Sequence, residues 1–490
     1  MMLTNNLLAQ NSILNTTLTF SDKNTNTYSL LSQISGKTGY YFIYDSQLIK
    51  NKEFKKYNAK NKTIQQILTE IIPDSTIDYL PRQKHIILRK KNQIRYQLTK
   101  SDSVQFYTIS GTIYDAETNN ALCYANISLK NSSKGTISAH NGQFIFKFDS
   151  LQISDTLIVS HIGFENFEEP VKLLTSNNIA ILLNPKIIAV QEIIIRNNNP
   201  EQLIMNALNK IDKNYSQTPV LLHAFYRETV LLNNQITYFS EAILNIYKTA
   251  YKQNQLAGAD MVQLQKFRKW NNPETPDSIQ LKLKGGINTC LLLDIIKNNP
   301  EFLQPENLNL YSYNLTDMII LNNKMVYEIE FKPKFFSDQA IHTGKIYIES
   351  ESLALLGTEF NVAPQHIPYI EDQLIVKKNR KMKVSLQKVT YIIWYKQINK
   401  SYHINQVRGN LEFKIRKKGQ INANIFQSNF EMAITNADTT DIKPFKIRSK
   451  IDTDMIVSDL KNNFKDDFWS GYNLISPDNL LTPILKNLDK

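Results

Sequence analysis

The sequence predicts a multidomain protein that is mainly β with some α. Its 490 residues are too many for one ordinary hydrophobic core, and a chain of this length usually divides into about three domains. The 24 Tyr and 23 Phe suit pleated, half-buried strands better than helical bundles. Gly (14) and Pro (16) are scarce, which excludes collagen-like and low-complexity chains. We therefore expect several packed, β-rich domains.

Residues 16–90 predict a small α+β domain. Apolar residues recur at helical spacing from Ile64 to Ile72, where Thr63 can cap the helix start and Pro73 ends it. An earlier helix is expected at 28–34, stopped by nearby glycines. Strands are expected at 17–20, 40–44, 76–80 and 85–88, the last two as a hairpin.

Three stretches of this segment carry a resemblance to a known family. They are Leu31–Tyr44 (LSQISGKTGYYFIY), Thr63–Leu68 (TIQQIL) and Ile86–Leu88 (IIL). Their order, a helix, a Thr-Gly turn, an aromatic strand and a second amphipathic helix, resembles the short N-terminal (STN) domain of secretins and TonB-dependent receptors. The resemblance implies a periplasmic module that passes signals by protein contact rather than by chemistry.

A polar, basic linker is expected at 91–105, followed by a β-sandwich at 106–196. Short strands separated by turns are typical of such a sandwich, and Asn141-Gly142 is a tight-turn dipeptide between two of them. Alternation with polar residues predicts that the following side chains are buried: Ile109, Ile113, Ala125, Ile127 and Leu129.

Five motifs of this region fall in the order and spacing of the carboxypeptidase-regulatory-like domain. They are Ser110–Asp115, Ala121–Ile127, Lys134–Thr136, Asn141–Phe144 and Ser160–Phe164. The resemblance implies a transthyretin-like β-sandwich without catalytic residues.

The sandwich departs from that family at two places. Cys123 replaces the usual Pro of one signature, and Ala139-His140 stands where an acidic residue is common. Neither departure threatens the fold. The second cysteine, Cys290, is expected in a different domain, so two buried free thiols are predicted rather than a disulfide framework. A bridge between them is the alternative if the protein is exported.

Residues 197–440 predict a large antiparallel β domain, with a C-terminal extension of short helices at 441–490. A helix should begin at Pro200, capped by Asn199, and bury Leu203 to Ile211 on one face. Long aromatic strands are expected at 222–230, 235–247, 325–332, 344–349, 355–362, 382–395, 402–416 and 421–434.

Three of these strands are similar in pattern to the central strands of the lipoprotein-carrier half-barrels, at Tyr327–Pro333, Gly344–Glu349 and Leu353–Phe360. That likeness implies a curved sheet that shelters acyl chains, and a generic antiparallel sheet is the alternative. The closing segments Phe468–Tyr472 and Ile475–Leu480 resemble the tail of envelope proteins that pair a regulatory-like sandwich with such a region.

The formal charge of +12 is concentrated near the C-terminus. Between Glu371 and Gly419 thirteen Lys or Arg stand against three acidic residues. Such a surface attracts polyanions or anionic lipid headgroups. The alternative is an ordinary solvated strand face.

No motif for chemistry is present. The seven histidines show no His-Glu-x-x-His, and there is no Gly-x-Ser-x-Gly or Gly-rich phosphate loop. The sequence therefore predicts no catalytic residue, no metal and no cofactor. The alternative is a hydrolase whose carboxylates, such as Glu328 or Glu349, converge only in three dimensions.

Candidate ligand contacts come from clusters of cationic and aromatic residues. Arg227 lies in His223–Glu228, and Arg268 and Trp270 lie in Lys266–Trp270; such clusters can clasp a carboxylate, a sugar or a lipid phosphate, or simply pack at a core edge. The exposed basic candidates are Lys377, Lys378, Arg380, Lys381 and Lys383. No nucleic-acid fold accompanies them.

The function predicted is that of a non-enzymatic accessory protein at the periplasm or outer-membrane periphery of a Gram-negative bacterium. Leu7–Gln10 resembles the end of a signal peptide, which suggests a true start upstream or a trimmed one. The expected partner is an envelope protein, a lipid or an anionic glycan, with at most peripheral membrane contact and a link to TonB-type transport or lipid handling. The chain is too short to hold a 22-stranded transporter barrel as well. A hydrolase and a structural scaffold are the alternatives.

Overall fold

The structure is a computed structural model that confirms a mainly β, multisheet protein. It describes residues 13–44, 49–82, 84–90, 106–174, 178–186, 199–251, 260–273, 281–283, 286–419, 421–446, 472–478 and 480–488. The signal-like segment, the linker at 91–105 and most of Phe468–Tyr472 lie outside these residues. No helix of the described part is long and apolar enough to cross a bilayer.

The N-terminal unit contains both predicted helices and the predicted hairpin. Its elements are β1 (Thr17–Asn26), α1 (Thr27–Thr38), β2 (Tyr41–Tyr44), β3 (Glu53–Thr63), α2 (Ile64–Ile71), β4 (Ile77–Arg82) and β5 (His85–Lys90). Thr63 caps α2 as expected, in a reciprocal pair with Gln66. The sequence did not predict β3, which is rich in Lys and Asn and buries only Tyr57 and Ala59. It pairs antiparallel with β1, while β2 lies parallel to β5.

The sandwich is made of a four-stranded and a three-stranded sheet. Its strands are β6 (Phe106–Asp115), β7 (Asn126–Leu129), β8 (Gly135–Ile137), β9 (Gln143–Asp149), β10 (Thr156–Ser160), β11 (Phe167–Pro170) and β12 (Ile179–Leu183). The sheet orders are β11-β10-β7-β8 and β12-β6-β9. The five side chains predicted to be buried are at most 3% exposed. Gly142 adopts a φ of +74°, a conformation that the tight turn requires and that other residues resist.

The C-terminal half is built on one ten-stranded antiparallel sheet. Its order is β15-β14-β13-β24-β23-β22-β20-β19-β18-β17. The strands after residue 199 are β13 (Val220–Leu232), β14 (Gln235–Lys248), β15 (Met261–Asn271), β16 (Leu281–Leu283), β17 (Tyr311–Leu321), β18 (Lys324–Pro333), β19 (His342–Glu349), β20 (Leu355–Val362), β21 (Ile375–Lys378), β22 (Met382–Ile398), β23 (Ser401–Lys417) and β24 (Asn424–Asp438). The eight predicted strands are all present. The two edge strands, β15 and β17, were not predicted.

Helices cover one face of this sheet, which we call the inner face. They are α3 (Pro200–Leu208), α4 (Ile211–Asn214), α5 (Ile287–Leu292) and α6 (Ile367–Leu374); a last helix, α7 (Leu481–Leu488), ends the described chain. As predicted, Asn199 caps α3 and its apolar stripe is buried. The helices and the inner face form a single packed core. That this sheet is a lipoprotein-carrier half-barrel stays a prediction.

A row that consists of aromatic and glycine residues, except for Glu228 at its start, crosses the inner face. The row reads Glu228, Phe430, Gly409, Tyr391, Phe360, Gly344, Phe331 and Tyr313, each beside the next in register. A Cβ added at Gly409 would lie 2.2 Å from the Phe430 ring, so glycine there makes room for the aromatic neighbour. This close packing fills the inner face.

The opposite, outer face of the sheet carries the sandwich. Ile137 and Ala139 of the sandwich pack against Phe225, Ile243 and Ala433 of the sheet. A C-terminal strap, residues 472–478, lies between them. Asn473 of the strap bonds both backbone groups of Lys147, at 2.6 and 2.9 Å, and the Leu474 carbonyl accepts from Thr136 at 2.9 Å. The sandwich and the sheet are therefore held together by a third segment.

Candidate functional site

Charged residues of alternating sign, interrupted once by Ile392, cross the outer face of the sheet. From one edge the row reads Arg268, Glu241, Arg227, Glu431, Arg408, Ile392, Glu359, Lys345 and Glu330, each directly opposite the next on a neighbouring strand. Directly opposed side chains on one face of an antiparallel pair interact, and opposite charges there are favourable. We call this row the charge ladder.

Arg227, a predicted contact residue, sits in the ladder with its donors already used. Its guanidinium bonds Glu241 (2.7 Å), Glu431 (3.1 Å) and the strap carbonyls of Ile475 (2.7 Å) and Ser476 (3.2 Å). Burial opposes ionisation of Glu241, yet the two arginines beside it hold its pKa below the ordinary value. Arg227 therefore ties the strap to the sheet.

The second predicted cluster meets the first through one carboxylate. Arg268 donates to Glu241 at 2.7 Å, so both predicted arginines share that partner. Trp270 stacks on Phe239 at 6.2 Å and packs against Leu481 and Leu485 of α7. Both clusters thus occupy the packed border between sheet and C-terminal segment.

The predicted basic run lies elsewhere. Lys377 and Lys378 belong to β21, and Arg380, Lys381 and Lys383 follow in the turn and the start of β22. All five side chains are exposed. The structure does not bring them to the two arginine clusters.

Two adjoining cavities open where the outer face meets the sandwich and the strap. The strap cavity, of about 460 Å³, is bordered by Arg227, Lys388, Glu412, Glu431 and Asp478 among others. The interface cavity, of about 410 Å³, lies between the sandwich segments 123–126 and 160–162 and the sheet. Both cavities share the walls Tyr124, His140, Arg408 and Asn410.

Three buried polar groups facing the interface cavity have no hydrogen-bond partner among the described residues. They are Arg408 Nε, Gln406 Nε2 and Ser160 Oγ. Gln406 is 3% exposed and Ser160 is 1% exposed. Buried polar groups in proteins are nearly always paired, so a cluster of exceptions indicates a bound molecule or ordered water. Two of the three can only donate, which favours an acceptor-rich occupant.

Tyr124 and Arg408 form the wall between the two cavities. The Arg408 guanidinium carbon lies 3.3 Å from the Tyr124 ring centroid. Tyr124 has a φ of 64°, a left-handed conformation that is strained for a bulky residue and is concentrated at functional sites. Burial raises the pKa of Tyr124 to about 12, so its hydroxyl stays protonated at neutral pH.

The remaining titratable groups of the interface cavity are shifted by burial. It lowers the pKa of Lys396 to about 8 and lowers that of His161. It raises the pKa of Glu359, against the opposing effect of Arg408 and Lys345. At neutral pH the cavity therefore presents the cationic side chains of Arg408 and Lys396, together with the Glu359 carboxyl and a neutral His161.

The amide side chains Asn126, Asn405 and Asn410 line the same cavity, and Trp394 and Ile392 give it an apolar wall. No three His, Cys, Asp or Glu side chains of the described residues come together as a metal site would require. Cys123 and Cys290 are both free, as expected. The arrangement suits binding of an anionic, hydrogen-bonding molecule.

Sequence reasoning missed the residues that line this cavity. Arg408 and Lys396 were counted only within the basic C-terminal stretch, and Gln406, Ser160 and Tyr124 carried no signal of their own. The usable signals were Cys123 and His140, because both departures from the regulatory-like pattern border the cavity. A departure beside a domain contact can therefore point to a site.

No curated protein matches the sequence. Solved structures with partial similarity include a DUF1329 family protein from Desulfovibrio piger (11% identity, TM-score 0.21, 50% of this chain and 95% of that chain). Lipovitellin aligns at 5% identity and TM-score 0.22, over 48% of this chain and 27% of that one. The FpvAI–pyocin S2 complex aligns at 8% identity and TM-score 0.15, over 84% and 58%. Residues 109–195 match the family model of the CarboxypepD_reg-like domain, which confirms the resemblance for the sandwich.

Proposed function

We propose that this protein is a non-catalytic binding protein of the Gram-negative envelope, and that the interface cavity binds a small anionic saccharide. The observation that supports it is a set of buried groups that face one cavity and have no partner in the described part of the chain: Arg408 Nε, Gln406 Nε2 and Ser160 Oγ. A buried donor without an acceptor costs about 1–3 kcal/mol. A ligand rich in oxygen acceptors would remove that cost.

The lining favours a charged sugar over other ligands. Arg408 and Lys396 suit a carboxylate, and the asparagine amides suit hydroxyl groups. Trp394 offers an apolar surface for the face of a sugar ring. The volume of about 410 Å³ lies in the usual range for small-ligand sites. Acyl chains on the inner face are less favoured, because its apolar side chains are buried against the helices.

The envelope location and the link to TonB-type transport are part of this proposal. They rest on the resemblance of residues 16–90 to STN domains and on the regulatory-like sandwich. In this arrangement the N-terminal unit would contact a protein partner while the cavity holds the ligand. The N-terminal unit packs on the sandwich, where Ile43 and Ile87 join the sandwich core.

Titration calorimetry with digalacturonate, and with the uncharged galactose disaccharide as a matched probe, tests the ligand. We expect binding of the charged disaccharide only. Arg408→Gln should weaken it at least about tenfold, because a charge-assisted hydrogen bond is lost. The control is Arg416→Gln, on the same strand and the same face but exposed and outside both cavities.

Equal binding of the two disaccharides, or no binding of either, would contradict the ligand class and leave ordered water as the occupant. An equal loss in Arg416→Gln would contradict the site. Cleavage of digalacturonate on prolonged incubation, followed by mass spectrometry, would contradict the non-catalytic role and favour the hydrolase.

A further inference from the structure

A cluster of exposed apolar side chains lies at the rim of the large sheet, away from the interface cavity. Phe335 and Phe336 follow β18, Tyr369 is on α6 and Val376 is on β21. Each is more than half exposed, and Tyr369 is 66% exposed. Exposed aromatic residues that are grouped indicate an interaction surface more strongly than scattered ones.

Two rings of the cluster are in direct contact. Phe336 lies 5.6 Å from Tyr369, ring to ring, and stacks on the buried His366 at 4.6 Å. His366 is in turn bonded through Nε2 to the Ser337 carbonyl at 3.0 Å. The loop after β18 is therefore fixed against the segment that leads into α6, and α6 runs directly into β21.

The basic run borders this aromatic rim. Lys377 and Lys378 are on β21 beside Val376, and Arg380, Lys381 and Lys383 continue toward β22. Glu371 of α6 accepts a hydrogen bond from the Leu386 backbone of β22 at 2.9 Å, so α6 and β22 are adjacent. Aromatic rings next to a line of lysines and arginines are typical of proteins that lie at a membrane surface.

Acidic residues also lie beside this positive surface. Glu371 and Asp372 of α6 lie 3.9 and 3.4 Å from Lys378, so that lysine is partly compensated. Asp338 follows the two phenylalanines and borders a separate acidic cavity with Glu306. Of the basic run, only Lys378 has an ion-pair partner among the described residues, so the positive charge of the other four side chains is uncompensated.

We infer that this rim, the aromatic cluster together with the basic run, docks onto the surface of an anionic lipid bilayer. The rings would insert among the headgroups, and the cations would pair with lipid phosphates. The partner is chosen by charge complementarity, because the exposed basic run matches a negatively charged headgroup layer. This contact is peripheral and independent of the saccharide proposed for the interface cavity.

Co-sedimentation of the full chain with vesicles tests this inference. One set contains phosphatidylcholine alone, and the other contains about 30% phosphatidylglycerol, a fraction that gives a clearly negative surface. We expect binding to the anionic vesicles that weakens when salt is raised. The triple variant Lys377→Gln/Lys378→Gln/Lys381→Gln should reduce the partition coefficient at least about tenfold.

Two further variants separate the contributions. Phe336→Ser/Tyr369→Ser should reduce binding to anionic vesicles at every salt concentration, because it removes the salt-independent insertion. The control Lys55→Gln/Lys56→Gln/Lys60→Gln removes the same charge from exposed positions of β3. Equal binding to both vesicle types, an equal effect of the control, or no vesicle binding at all would overturn the inference, the last in favour of a protein partner.

Discussion

The two faces of the ten-stranded sheet are formed by alternate residues of the same strands, yet they are stabilised in different ways. The inner face packs aromatic rings against glycines and helices. The outer face pairs arginines with glutamates and supports the sandwich and the strap. The inner face also encloses charges, since Lys248 lies 2.6 Å from both Asp260 and Asp294. Burial alone does not distinguish the faces, and neither face is fully paired, since Ser240 Oγ on the inner face has no partner among the described residues. What differs is that the unpaired groups of the outer face border a cavity.

That difference explains where a ligand can bind. On the inner face, Tyr251 and Tyr395 also donate to Asp294, at 3.0 and 2.6 Å, so that network is closed. On the outer face, the ladder is closed around Arg227 but open at Arg408, whose Nε is unpaired among the described residues. A closed network stabilises the fold, whereas an open one leaves binding energy for a partner.

Of the substitutions considered, Arg227→Met on the outer face should lower the free energy of unfolding the most. The change removes the ion-pair partner of Glu431 and one of the two arginines that pair with the buried Glu241. It should cost about 3–5 kcal/mol in the free energy of unfolding. Urea denaturation measures it. The control is Arg416→Met, exposed on the same face, which should stay within about 0.5 kcal/mol of the wild type. Similar free energies of unfolding for the two variants would mean that the charge ladder does not stabilise the outer face.

Lowering the pH should destabilise the protein, because it protonates the buried His403 on the outer face. His403 lies opposite Lys396 on the neighbouring strand. Burial lowers the pKa of His403 to about 4 from the ordinary value of 6.5. A histidine whose pKa is lowered in the folded state stabilises the fold above its unfolded pKa, and this contribution is lost as the pH falls from 6.5 to 4. Relative to His403→Gln, the wild type should lose up to about 3 kcal/mol over that range.

The difference in stability between the wild type and His403→Gln reports on His403 alone. This comparison is needed because carboxylates with a raised pKa change the stability with pH in the opposite direction. Burial raises the pKa of Glu228 on the inner face to about 7, and its contribution declines as the pH rises. Both proteins share that effect. Parallel stability curves for wild type and His403→Gln between pH 4 and 6.5 would show that His403 is not held neutral.

Gly409→Ala tests the packing of the inner face. We expect it to cause the smallest loss of stability of the three substitutions. The added methyl would meet the Phe430 ring and should destabilise the protein by about 1–3 kcal/mol. Gly36→Ala is the control, since nothing lies within 4 Å of its added Cβ, and this helical substitution should stabilise by up to about 1 kcal/mol. A second change, Phe430→Leu, should recover part of the loss in Gly409→Ala; no recovery would mean that the strain lies elsewhere.

Much of the fold could be predicted because its signals are local. Strict alternation identified β23, where Leu411, Phe413 and Ile415 are at most 3% exposed. Thr63 and Asn199 were recognised as caps from the residues that follow them. The edge strand β15 was missed because only Val262 and Phe267 of its residues are buried, which leaves little alternation to detect. The domain boundaries and the N-terminal resemblance stay predictions.

The candidate site was only partly accessible to sequence reasoning. Arg227 and Arg268 could be flagged by their aromatic neighbours, but the pairing of Arg227 with Glu431 depends on strand register across 204 positions of sequence. The interface cavity depends on where the sandwich rests on the sheet. No sequence pattern around Arg408 or Gln406 predicts where the sandwich contacts the sheet.

Local signals were enough to predict the class of structure: alternating strands, capped helices, a tight Asn-Gly turn and the short motifs of a regulatory-like sandwich. Each of these follows from residues within a few positions of one another. The order of the strands in the sheet, the contacts between charged side chains and the positions of polar groups that have no partner among the described residues became known only from the folded chain. The physical reason is that pairing and burial on the sheet join residues hundreds of positions apart, so the charge balance of each side chain is fixed only when the chain is packed.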